Sequence, residues 1–237
     1  MGRIGAVPVL VANGQGFWGD SILGPVRLVR EGPLHYLTLD YLAEVTMSIL
    51  QKLKRREPTA GYATDFIAML DRLLPEIAAR GIKVVANAGG VNPTGCLNAV
   101  LKLARRKGLS GLKVGIIEGD DILGRLPELS AAGESFANMD TGEPFSSVAS
   151  RVTSANVYLG ARPIAECLAA GADIVIGGRL TDPALVAGPL LHEFGWRDDD
   201  HDLLAAATVA GHIVECGAQC RSEEHTSELQ PPNTISY

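Results

Sequence analysis

Apolar positions along this chain form short β-type runs that alternate with stretches of helical period, and polar, glycine-rich turns separate them. Strands are predicted over residues 6–12 (AVPVLVA), 34–39, 83–86 (KVVA), 113–117 and 173–176. Helices are predicted from about Pro25, over 41–54 and 62–80, from Pro93 to about Lys107, and over 161–170, 184–191 and about 199–217. Gly81 and Gly108 stand where helices end, and Pro93 and Pro183 where helices can begin without a backbone N–H. Residues 123–150, rich in Gly, Ser, Pro and Glu, break the rhythm and read as an excursion or mobile flap. The alternation specifies an α/β fold: a predominantly parallel sheet with helices on both faces, Rossmann-like and three-layered.

In open parallel α/β sheets, ligands bind at the carboxyl ends of the strands. The most polar segments here, GQGFWGD, NAGGVNP, EGDD and GGRLTDP, all follow predicted strands, whereas the returns from helix to strand are short and plain. One site on one edge of one sheet is therefore expected, for a small-molecule substrate.

Gly14-Gln15-Gly16-Phe17-Trp18-Gly19 satisfies GxGxxG, with Asp40 ending the next strand in the place of a ribose-binding acid. Pyrophosphate binding needs a helix that begins within the glycines. Here Gly24-Pro25 delays the helix, Asp20 adds negative charge, and Phe17 and Trp18 are bulky. NAD is therefore not the expected cofactor, and a dinucleotide-dependent oxidoreductase is the least favoured of three functional readings. The loop is read instead as wrapping a ligand through Gly16, Trp18 and Asp20, or as a tight structural turn.

Asn87, Gly89, Gly90 and Asn92 offer amides and backbone N–H groups ahead of a helix N-terminus, which suits an oxygen anion; Asn92 can also cap that helix. Glu118, Asp120 and Asp121 crowd three carboxylates into four residues, a cost that a proton, an Arg or a cation must relieve. They are the candidate acid/base residues, and Asp120 and Asp121 the candidate ligands of a Mg²⁺ ion. A solvated loop in which an Asp caps the next turn is the structural alternative. Arg179 rises from a glycine turn and suits carboxylate or phosphate recognition, with Asp182 beside it either contacting ligand or capping the helix. His212, Glu215 and Cys216 share one helix face and read as a buried face with a satisfied histidine rather than as a nucleophile pair.

Composition narrows the class. Apolar residues make up 46% of the chain, as in a globular protein, and no run approaches a membrane span. The N-terminus has neither a secretory pattern nor the Ser or Thr of a myristoylation signal. Cys96, Cys167, Cys216 and Cys220 form no CxxC pair and look like small, mostly buried thiols of a reducing compartment, the cytoplasm.

The string RSEEHTSELQ, residues 221–230, resembles the in-frame translation of a DNA-sequencing adapter and breaks from it only at Pro231. Residues 221–237 are accordingly read as a non-native tail, and 1–220 as one α/β domain cut short at its C-terminus. Setting the tail aside removes Arg221, Glu223, Glu224 and Glu228 and moves the net charge from −6 to −4. An acidic chain has no electrostatic reason to seek nucleic acid or an anionic membrane. Assembly into a homo-oligomer is left open.

The loop 14–21, residues 39–44 (LDYLAE), 82–93 (IKVVANAGGVNP), 118–121, 173–183 (DIVIGGRLTDP) and 192–219 together resemble the acyclic terpene utilisation family. The resemblance covers essentially all of residues 1–220, and the family domain continues with a glycine-rich turn where the adapter string stands. It implies catabolism of branched or terpenoid acids as coenzyme A thioesters. The family name denotes a pathway rather than a reaction, so no catalytic residue is carried over from it. The expected function is a catabolic enzyme of lyase or hydrolase chemistry; the alternative is a non-catalytic subunit that binds acyl-CoA or scaffolds a pathway complex.

Overall fold

The structure, a computed structural model, describes residues 8–217. Its strands are β1 (Val11–Gln15), β2 (Tyr36–Leu39), β3 (Lys83–Ala86), β4 (Val114–Ile117) and β5 (Ile174–Gly177). They form one all-parallel sheet in the order β1-β2-β3-β5-β4. The helices are α1 (Leu23–Glu31), α2 (Glu44–Arg56), α3 (Thr64–Arg80), α4 (Pro93–Arg106), α5 (Leu126–Ala131), α6 (Arg162–Ala169), α7 (Ala184–Phe194) and α8 (His201–Val214).

Crossover handedness explains the layers. The chain moves one way across the sheet from β1 to β2, β3 and β4, then steps back to insert β5. Right-handed crossovers put helices of the outward steps on one face and those of the return step on the other. Side-chain alternation agrees: Leu37, Leu39, Val84, Ala86, Ile174 and Ile176 pack with Val29 of α1, Phe66 and Leu70 of α3, and Val100 of α4. Tyr36, Val85 and Val175 face the other way, onto Ile164 and Leu168 of α6 and Leu185 of α7. Both faces of the sheet are covered, which is why its inner strands read as near-continuous apolar runs.

Several boundaries differ from expectation by a few residues, and the clearest differences have local reasons. β1 lies later than residues 6–12, because Val11 pairs with Tyr36 and the ladder continues through polar Asn13 and Gln15 with an irregularity at Gly14. α1 begins at Leu23 and carries Pro25 within its first turn, where a missing N–H is tolerated. The excursion contains α5 and short 3₁₀ turns and is largely exposed. Residues 156–159 return from it along the sheet edge, with isolated bridges pairing Asn156 with Asp121 and Leu159 with Leu180. Among the described residues no helix is long and apolar enough to cross a membrane. Cys220 and the adapter-like string lie outside the described residues.

α8 is seated by small residues. A Cβ on Gly211 would come 2.6 Å from the Pro183 Cα, so only glycine lets this helix reach the start of α7. Glu215 follows four residues later on the same face and is carried toward the sheet edge. The outer side of α8 leaves Leu203, Val209 and Ile213 exposed.

Candidate functional site

β3 and β5 are neighbours, yet β3 exits to α4 on one face and β5 exits to α7 on the other. Diverging turns of this kind define a topological switch point at the carboxyl edge, the crevice in which open α/β sheets take ligands. Asp40 from the end of β2, Asn87 from β3, Arg179 and Asp182 from β5, and Asp120 from β4 meet around it through one connected set of contacts.

Asp40 is 5% exposed. Its Oδ1 accepts from Asn87 Nδ2 at 2.6 Å and from the Leu42 amide at 3.3 Å. Asn87 is fully buried, and its own Oδ1 accepts from the Tyr41 amide at 2.7 Å. Across the crevice, Arg179 Nη1 donates to Asp182 Oδ1 at 2.6 Å and to the Leu180 carbonyl at 2.9 Å. Its guanidinium lies 4.1 Å over the Tyr158 ring, and Glu44 Oε1 stands 3.8 Å from Nη2. Arg179 Nε is buried with no hydrogen-bond partner among the described residues. The Arg179 amide donates to Asp120 Oδ2 at 2.8 Å, and Asn156 Nδ2 donates to the same oxygen at 2.9 Å. Gly178 makes this possible, since a Cβ there would stand 2.7 Å from the Asp120 carboxyl carbon.

Asp40, Asp182 and Glu215 each bring a carboxylate oxygen within 4.8 Å of the other two. Crowded charge of this kind requires a proton, a guanidinium or a cation to relieve it. Arg179 relieves Asp182. Burial, with a smaller contribution from the Asp182 charge, pushes the Asp40 carboxyl up to about 7, against the opposing hydrogen bond from Asn87. Asp40 thus changes charge near neutral pH. The spacing of the three oxygens also suits a shared divalent cation. Asp120 is raised as well, by burial, against the hydrogen bonds from Arg179 and Asn156.

The structure connects Asn87, Asp120, Arg179 and Asp182 through direct contacts with one another and with Asp40; the other expected residues have different partners. Glu118 and Asp121 are exposed; Glu118 accepts from Thr94 Oγ1 and Asp121 caps the Leu123 amide. With Asp120 they border a cleft of about 260 Å³ that also meets Lys54, Gly90 and Asn92. The Gly89 amide donates to the Gly177 carbonyl at 2.9 Å and the Gly90 amide to the Asn87 carbonyl at 3.4 Å, so both donors are engaged within the protein. Asn92 caps α4 through the Gly95 amide and ties down the Ala60 carbonyl, which makes it a structural residue. Asp20 closes its own loop onto the Gly16 amide, while Trp18 packs against the core. Gly16 lies under the Cys216 backbone, where a Cβ would come 2.6 Å from the carbonyl oxygen. His212 is exposed, so the face it shares with Glu215 is not the buried one the spacing suggested; Gly211 supplies the packing contact instead. Cys96 is a core thiol raised by burial to about 12, whereas Cys216 is exposed.

Two site residues were visible in the sequence but assigned elsewhere. In sequence Asp40 pairs with the GxGxxG motif, and Glu215 with His212 and Cys216. Asp40's position directly after a strand, on the same edge as the other polar turns, is the signal that could have found it. Tyr158, Asn156 and Glu44 carry no such signal, because long-range packing alone brings them to Arg179 and Asp120.

A family model described as acyclic terpene utilisation family protein AtuA matches residues 9–226. Comparison with curated proteins and with solved structures gives no match.

Proposed function

The chain belongs to the acyclic terpene utilisation family, and from that premise we propose that it is a catabolic enzyme domain acting on a small branched or terpenoid acid, or its coenzyme A thioester. The chemistry proposed is proton transfer beside a carbonyl, of the lyase or hydrolase kind. One observation carries it: a buried carboxyl that titrates near neutrality, Asp40, shares the switch-point crevice with a buried guanidinium, Arg179.

In its charged form Asp40 takes a proton from the substrate, and the freed electron pair moves toward the carbonyl oxygen. Arg179 stabilises that developing charge, with Nε as the available donor. In its protonated form Asp40 returns the proton to the product or leaving group. Asn87 is a positioning residue, since it fixes the Asp40 carboxyl without facing solvent. Asp182 holds Arg179, and Asp120 holds the turn that presents it. A Mg²⁺ ion shared by Asp40, Asp182 and Glu215 is a second reading, favoured by their mutual spacing. The dinucleotide reading has less support, because the glycines serve internal packing: Gly14 against Pro25 and Gly16 against Cys216. The cytoplasm remains the proposed compartment.

The test is Asp40→Asn in the full-length protein, assayed for turnover and for binding of branched acyl-CoA thioesters. Turnover should fall by about 10²–10⁴-fold with binding retained. Unchanged turnover removes Asp40 from the chemistry. A wild type that binds but never turns over favours the non-catalytic acyl-CoA-binding subunit.

A further inference from the structure

Near Arg179 lies an open cleft of about 510 Å³, formed where residues 158–161, the start of α7 and the exposed Thr208 and His212 of α8 converge. Its walls include the small, carbon-lined Ala161, Pro183, Ala184 and Ala187, with Thr181, Thr208 and His212 as polar groups around them. Two of its lining residues, Tyr158 and Asp182, are also the direct partners of Arg179: one lies under the guanidinium and the other is paired with it. The cleft and Arg179 are therefore neighbours, separated by no more than these two side chains.

We infer that this cavity is the subsite for the apolar chain of the substrate, with the carboxylate or thioester head lying toward Arg179. The inference rests on the proposed acid–base reading for the position of the head, while the cavity itself stands on its own geometry. Three features carry it. The volume falls in the range of ligand pockets, which pair apolar walls with a few placed polar groups. Arg179 is 4% exposed and keeps a buried donor, Nε, with no hydrogen-bond partner among the described residues, as expected of a group that receives a ligand oxygen. The walls are kept small at Ala184 and Ala187, both buried, so larger side chains there would consume the space a branched chain needs. Ala187 of α7 and Thr208 of α8 are the residues that measure chain length and branching.

Straight-chain carboxylates from butanoate to decanoate are unreactive probes of this assignment, read by calorimetry on the full chain. Each methylene that enters an apolar pocket contributes about 0.8 kcal/mol, which is about a four-fold fall in Kd per methylene. That slope should hold in the wild type until the cavity is full. Ala187→Phe should end it at a shorter chain; because Ala187 is buried and this variant can fail to fold, Thr208→Trp, on an exposed position of α8, provides the same obstruction. Asp40→Asn should leave the slope intact, which separates failure of the chain subsite from failure of the acid–base reading. A separate cavity of about 580 Å³ lies within the excursion, lined by Leu126, Ser130 and Phe145 among others. A wild-type affinity indifferent to chain length, or a slope that survives Thr208→Trp but is lost in Ser130→Trp, overturns the assignment.

Discussion

Asn87 grips Asp40 across two adjacent strand ends, donating from Nδ2 to Oδ1 at 2.6 Å while accepting from the next amide, Tyr41, at 2.7 Å. A single buried carboxamide thereby sets the direction of the carboxyl and the path of the chain that carries it. One Asp40 oxygen is committed to this clamp, so in the proposed reaction the other would exchange the proton. The parallel pairing of β2 with β3, which aligns Leu39 with Ala86, puts the two residues that follow side by side.

Stability should depend on pH through Asp40. The folded chain holds this proton up to about pH 7, whereas the unfolded chain releases it near 3.8. The raised value means that the contribution is fully present below 3.8 and is lost as pH rises through about 7. The whole effect amounts to roughly 4 kcal/mol at most. Melting curves of Asp40→Asn should be flatter across that window and should exceed the wild type above it. Parallel pH profiles for the two proteins would contradict the burial account.

Gly178→Ala should destabilise the chain by about 1–3 kcal/mol, because its new methyl meets the buried Asp120 carboxyl. Gly124→Ala, where the added Cβ meets nothing, should be close to neutral. Urea titrations of both variants check this. A Gly178→Ala protein as stable as Gly124→Ala means that the Asp120 contact with the Arg179 turn is dispensable.

Gly211→Ala should reverse an ordinary sign. Within an exposed helix, exchanging glycine for alanine gains about 1 kcal/mol. Here the methyl runs into the Pro183 backbone, so α8 must lift and take Glu215 away from Asp40 and Asp182. Both the melting temperature and turnover should drop. A higher melting temperature refutes the seating of α8 described above.

Mg²⁺ should raise the melting temperature with added concentration if the three carboxylates share an ion, and Asp182→Asn should abolish the rise. A wild type indifferent to Mg²⁺ leaves the proton on Asp40 and the Arg179–Asp182 pair as the means of charge relief.

The order of strands and helices was legible in the sequence because period-two and period-3.6 patterns are local, and glycine and proline mark where each element stops. The edge where the candidate site lies was legible too, from the polar turns that follow strands, as was the presence there of Asn87, Arg179, Asp182 and Asp120. Which groups on those turns face the crevice was decided only by tertiary structure. Glu118 and Asp121 flank Asp120 in sequence, yet burial selects Asp120 alone. The Gly89 and Gly90 amides look available in sequence, but the Gly177 carbonyl takes the first once β5 lies beside β3, and the turn's own Asn87 carbonyl takes the second. Glu215 reaches the site only because Gly211 lets α8 pack on Pro183, far away along the chain. Composition and periodicity report what each segment prefers by itself, whereas a shared pocket depends on contacts between segments that local preference does not encode.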